Sequence, residues 1–323
     1  MATENQPDEP PDDAGDVRSA AAVAADPTVG PEAAFEAYGA EPIPAAAAGA
    51  VGKDGRVAVR FSADADGQTR LVNDFAKVPF HLTGGLTHDE ALPEAATVYV
   101  QTPTAGIAQG DRHGIEVTVD PDAVAHVTGQ SATKVLRMER NYGAATVDLS
   151  VGAGGYLEYL PEPTIVHRDA RYRQDLTLSL GPDAAAVVGE VLVPGRLARD
   201  EAFDFDHAYL RTEATGPDGR LFADANDLRP AATDPRRPGV LGDHRVLGTL
   251  YAVGDPGLSD ALHERVADRE GVRAGATELP NDAGAMVRVL GEDTAPVRAA
   301  MRAAWDEARR ELVGAPAPTR RKD

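Results

Sequence analysis

The chain has 323 residues and a formal charge of −20, from 52 acidic and 32 basic side chains. So acidic a surface argues against nucleic acid and anionic membranes as partners, since both require a basic face. No apolar run approaches the roughly 20 residues that span a bilayer, the N-terminus lacks a signal peptide's basic start and apolar core, and the absence of cysteine excludes disulfides, thiolate nucleophiles and cysteine-held metals.

These observations predict a cytoplasmic protein. Of the basic residues only four are lysines: Lys53, Lys77, Lys134 and Lys322. An excess of carboxylates with lysine nearly eliminated keeps a surface hydrated where salt screens charge strongly, so the composition reads as salt adaptation.

In chain order, residues 1–32 are acidic, with Ala and Pro between the charges, and cannot bury enough apolar surface to offset their ordering entropy; they read as a disordered acidic tail. An Ala-rich patch at 45–50 reads as a loop or a helical turn. One β-rich domain is then expected over 33–313. From about residue 51 the apolar residues recur with period two, in Arg56–Phe61, Thr97–Gln101, Ile115–Val119, Thr146–Val151 and Leu176–Leu180. Short alternating runs bounded by Gly, Pro or Asp, without amphipathic helices between them, argue for an all-β layered or coiled sheet rather than βαβ units. Helical spacing comes late. Asp260–Arg269 is a short candidate. Thr294–Leu312 places Val297, Met301, Trp305, Ala308 and Leu312 on one stripe before Gly314 stops it. Residues 314–323 read as a second tail.

Three constellations bear on chemistry. Ser131 and Lys134, in TGQSATKVLR, have the Ser-x-x-Lys spacing of penicillin-recognising serine enzymes. That spacing works at a helix start. Here the flanks read as strand, where i and i+3 point to opposite faces, and the companion Lys-Thr-Gly motif is missing. A serine acyl-hydrolase is therefore the disfavoured alternative. The eight histidines show no zinc-type pair, and Asp204–His207 (DFDH) reads as an exposed acidic turn. Asp111 closes a Gly-rich loop. Glu158 and Glu190 each interrupt an apolar strand, where a carboxylate must be paired, solvated in a cavity or bound to a cation. Arg137, Arg168 and Arg196 are the expected partners.

Read together, Gly67–Leu71, Val78–Leu82, Pro103–Asp111, Thr128–Arg137, Leu157–Ile165, Gly189–Arg196, Glu201–Phe203 and Val287–Gly291 resemble, in order, the motifs of the urease accessory protein UreD family (UreH in some organisms). The chain departs from the family pattern at Ala105 and Gln109, where glycines are usual, and in Asp/Arg-rich insertions around 213–245, read as loop growth. The resemblance implies a mainly β fold, many short strands in a coiled, β-helix-like stack, with a few helices including one near the C-terminus. It implies a non-enzymatic maturation chaperone. Such a protein would join apo-urease to UreF and, through UreF, to the GTPase UreG, with no permanently bound cofactor and nickel in transit. On that reading Asp111, Glu158 and Glu190 are candidates to line a nickel passage. Thr128, Ser131 and Thr133 would hydrogen-bond along a sheet edge, and Lys134 would have a carboxylate partner, inside the chain or across an interface.

Overall fold

The computed structural model describes residues 20–43, 52–103 and 106–318. Two helices, α1 (Ala20–Ala25) and α2 (Pro31–Gly39), precede a chain that winds repeatedly between two sheets. Hairpins open both. β1 (Asp54–Ala63) pairs antiparallel with β2 (Thr69–Lys77) in the first sheet, and β3 (His81–Leu82) pairs likewise with β4 (Ala96–Gln101) in the second.

The winding follows. β5 (Arg112–Val119), β8 (Gly143–Val151), β11 (Arg171–Leu180) and β13 (His207–Gly216) lie parallel in the first sheet. β4, β6 (Val124–Gly129), β9 (Tyr156–Leu160) and β12 (Ala185–Val193) lie parallel in the second. The alternation makes a solenoid-like stack of about four turns. A short third face links the sheets, where β7 (Thr133–Val135) pairs with β10 (Thr164–Val166) and β10 with β12. Beyond β13 the chain turns back on itself. β14 (Gly219–Leu228) closes the first sheet; β15 (Val246–Val253), β17 (Gly284–Gly291) and β16 (Val272–Glu278) extend the second. Strand far exceeds helix among the described residues, so the expected mainly β, coiled fold is the observed one.

Burial explains the sequence pattern strand by strand. β8 faces solvent on one side and alternates buried and exposed residues along its length. β15 reads VLGTLYAV without alternation, and every residue is buried. Its inner face meets the space between the sheets, and its outer face lies beneath α4 (Thr294–Val313), which with α3 (Ser259–Val266) covers the second sheet. The predicted stripe of α4 is the buried one, with Val297, Met301, Trp305 and Ala308 all inside, and Gly314 ends the helix in a left-handed conformation.

The limits drawn for the tails change. Residues 20–32 carry α1 and the start of α2, whose Phe35 and Tyr38 pack edge-to-face with each other and against His207 and Tyr209. Glu32 also pairs with Arg173 of the first sheet. At the other end Ala315 is buried, and the Ala317 N–H donates to Asp306. Residues 1–19, 45–50 and 319–323 lie outside the described residues. The segment around 213–245 is not all loop growth, because it contains most of the β13–β14 hairpin.

Candidate functional site

A cavity of about 200 Å³ lies between the sheets, on the side where the third face joins them. Its mouth is formed by Gly106, Ser131, Lys134 and Glu162, and its wall by Tyr159, Tyr172, Gln174, Glu190 and Tyr251. It separates two hydrophobic clusters, one filling the stack and one packed beneath the third face. The strand register shows why space is left there. On the first sheet His113, Ala145, Gln174, Leu210 and Asn226 form one row across β5, β8, β11, β13 and β14. On the second, Glu190, Thr249 and Arg288 are in register across β12, β15 and β17. Hydrogen bonds cross between the rows: Gln174 Nε2 donates to Glu190 Oε2 at 2.9 Å, and Arg288 Nη1 to Asn226 Oδ1 at 3.0 Å. Polar side chains replace aliphatic ones at this level, and the small Ala145 leaves the row unfilled.

Glu190 interrupts a run of fully buried residues in β12, retains partial accessibility, and lines the cavity. Burial raises its pKa to about 7, with Asp224 adding to the rise while the Arg288 charge and the Gln174 hydrogen bond oppose it. It therefore changes charge near neutrality. Tyr172 donates to Gln174 Oε1 at 3.0 Å, extending the polar line. His113 lines the same space, and burial lowers its pKa, which favours the neutral imidazole.

The other two predicted carboxylates go elsewhere. Asp111 is fully buried, and its oxygens accept the backbone N–H groups of Lys53 at 2.7 Å and Ala108 at 2.9 Å. It staples the loop to the start of β1 and does not line the cavity. Glu158 lies on the opposite face of its sheet, under α4. There it accepts from Tyr156 at 3.0 Å and Trp305 at 2.9 Å, and sits 2.8 Å from His126 Nδ1 and 3.6 Å from Arg309 Nε. Burial alone would raise its pKa, but the His126 hydrogen bond and charge, the Arg309 charge and the Trp305 bond outweigh it, and the net shift is downward. Arg309 also binds Asp89 at 2.5 Å. The arginines expected beside these carboxylates pair instead with Asp169, Asp204 and Glu201.

The TGQSATKVLR stretch forms the mouth. Ser131 lies in a bend between β6 and β7, not at a helix start, and both Ser131 and Lys134 are exposed. Thr128 Oγ1 donates to the Leu160 carbonyl at 2.6 Å, but β6 lies between β4 and β9, so this threonine sits inside the second sheet and not on the expected sheet edge. Lys134 has no ion-pair partner among the described residues, so the carboxylate expected inside the chain is not found there. Its backbone is engaged: the carbonyl accepts the Ile107 N–H at 2.8 Å, and Gly106, at φ 132°, approaches so closely that a Cβ there would stand 2.1 Å from that oxygen.

DFDH is not an exposed turn throughout. His207 is fully buried, with Nε2 2.8 Å from Asp227 and Nδ1 3.3 Å from the Tyr38 hydroxyl, while Asp206 pairs with Arg171. This cluster anchors α2. Among the described residues, no group of three or more histidine, aspartate or glutamate side chains could hold a metal ion, and no helix is long and apolar enough to cross a membrane.

The family model described as UreD urease accessory protein matches residues 53–323. The chain is 54% identical to the urease accessory protein UreD of Haloarcula marismortui, over 90% of this chain and 98% of that one. Identity to the UreD of Natronomonas pharaonis is 45%, again over 90% and 98%. To UreD 2 of Brucella suis it is 36%, over 78% of this chain and 85% of the relative.

Proposed function

This chain belongs to the UreD family of urease accessory proteins, and from that premise we propose that it scaffolds apo-urease with UreF and, through UreF, UreG for nickel insertion, with the cavity at Glu190 on the ion's path. Membership supports a part in urease maturation, and the relatives are named accessory proteins, not enzymes. The observation that carries the finer reading is Glu190: a carboxylate in the wall of a tyrosine-lined cavity, hydrogen-bonded among the described residues to the Gln174 amide and able to change charge near neutrality.

Cargo in transit needs weak oxygen ligands, because a closed cage of nitrogen or sulfur donors would retain a borderline cation such as Ni²⁺. A carboxylate with tyrosine hydroxyls nearby meets that requirement. The work of Asp111 and Glu158 is accounted for by the loop and by α4, so Glu190 is the passage residue. The scaffold reading is tested by co-purifying the chain with UreF, UreG and apo-urease in concentrated salt; failure to recover UreF would sink it. The path is tested by Glu190→Gln at limiting nickel. Assembly should be intact and urease activation several-fold lower; activation equal to the parent's would remove Glu190 from the path.

A further inference from the structure

Val287–Gly291, matched by sequence alone, places Arg288 at the inner end of the cavity. The lining runs as far as Glu190, Thr212 and Tyr251 and includes neither Arg288 nor Asp224. Immediately beyond, Arg288 on β17 reaches across to β14. It pairs with Asp224 through Nη2 and donates through Nη1 to Asn226 Oδ1 and Thr249 Oγ1, both at 3.0 Å. Tyr251 donates to the same Asp224 at 2.6 Å. This knot joins the two sheets and stops the cavity. It also sets a guanidinium one strand past Thr249, the register neighbour of Glu190.

We propose that Arg288 is the cation barrier of the cavity: its fixed charge lowers the affinity of Glu190 for a divalent cation and denies the ion the β14–β17 end, so that cargo enters and leaves through the Ser131–Lys134–Glu162 mouth. The inference rests on the transit reading, and adds to it a selectivity determinant and a direction. A positive charge close to a site in low-dielectric surroundings weakens cation binding there, and the paired Asp224 offsets part of that effect.

A purely structural knot and an electrostatic barrier differ in sign. Breaking the knot from either side would disturb Glu190 alike if the role were structural. If the charge matters, Arg288→Met should tighten Ni²⁺ binding at Glu190 by about tenfold, Asp224→Asn should weaken it several-fold, and Arg288→Lys should leave it within about twofold of the parent. The measurement is a titration of the full-length chain with NiCl₂ in concentrated KCl, following paramagnetic broadening of the Gln174 side-chain amide. Should Arg288→Met not fold, Arg288→Gln carries the same expectation. Shifts of the same sign for Arg288→Met and Asp224→Asn, or no shift in either, would overturn the barrier while leaving transit standing. No broadening of Gln174 in the parent or in any variant would overturn transit itself, and the barrier with it.

Discussion

The outer and inner faces of the second sheet hold the same sequence feature and use it in opposite ways. Glu158 in β9 and Glu190 in β12 each interrupt an apolar strand. Strand parity separates them: Glu158 shares its face with Tyr156 and Leu160, towards α4, and Glu190 shares its face with Val188 and Leu192, towards the cavity and the clusters around it. Under α4 the carboxylate meets a tyrosine, a tryptophan, a histidine and an arginine, which hold it charged. In the cavity it meets a neutral amide, and burial pushes its pKa up. An acid in an apolar strand is thus fastened or left available according to what the neighbouring layer brings to it.

The sharpest way to break this contrast is to remove each acid in turn. Glu158→Ala leaves Tyr156, Trp305 and His126 without their shared acceptor and Arg309 with half its compensation. Losing one member of a buried charged network costs about 3–5 kcal/mol. Glu190→Gln exchanges one polar contact for another and removes an acid whose charged form burial disfavours, so stability at pH 7 should be unchanged or raised. Denaturant unfolding of both variants in concentrated salt decides. Equal losses would mean that the cavity acid is as structural as its counterpart.

Acidity separates the two more finely. Glu190 titrates higher in the folded chain than in the unfolded one, so the folded state binds the extra proton. Its contribution is fully present below the unfolded carboxyl pKa, near 4.5, and is lost as pH rises through about 7. Glu158 is shifted down, so its contribution is present above the unfolded value and disappears as the solution becomes acidic. Between pH 5 and 7 the parent should lose roughly 1–3 kcal/mol relative to Glu190→Gln, measured as the difference between their unfolding free energies at each pH. Parallel curves for the two proteins would show that Glu190 is solvated like a surface acid.

The frame was largely legible in the sequence, because strands with one solvated face announce themselves by alternation; β1, β5 and β8 did so, and α4 showed its buried stripe. What escaped has physical reasons. β14 hid because its inward positions include Asp224 and Asn226, the polar groups that end the cavity, so its inner face does not read as a core face. α2 hid because it is short and acidic and is held by Arg173 and the buried His207, both far along the chain. Asp111 and Glu158 looked like candidates for the passage because a sequence marks a carboxylate in apolar company but not the N–H groups or the helix that will satisfy it. The cavity itself could not be read. It depends on the lateral alignment of His113, Ala145 and Gln174, which are about 30 residues apart and become neighbours only through the register of the stack.

The smallest expected effect lies at the mouth, where the contrast runs between backbone and side chain. The Lys134 carbonyl is fixed by the Ile107 N–H and by the close approach of Gly106, whereas the Lys134 and Ser131 side chains are exposed. Exposed substitutions clear of caps, cores and ion pairs usually shift stability by no more than about 0.5 kcal/mol. Ser131→Ala and Lys134→Gln should therefore unfold with the parent, and a fluorophosphonate probe should label neither the parent nor Ser131→Ala. A bend between two strands supplies no helical turn to bring an amine to the hydroxyl, and without that amine Ser131 remains an ordinary alcohol. Labelling of the parent that is lost in Ser131→Ala would restore the nucleophile and make the mouth a catalytic site. An unlabelled chain with unchanged unfolding leaves these two side chains as surface, free to meet whatever seats against the cavity's entrance.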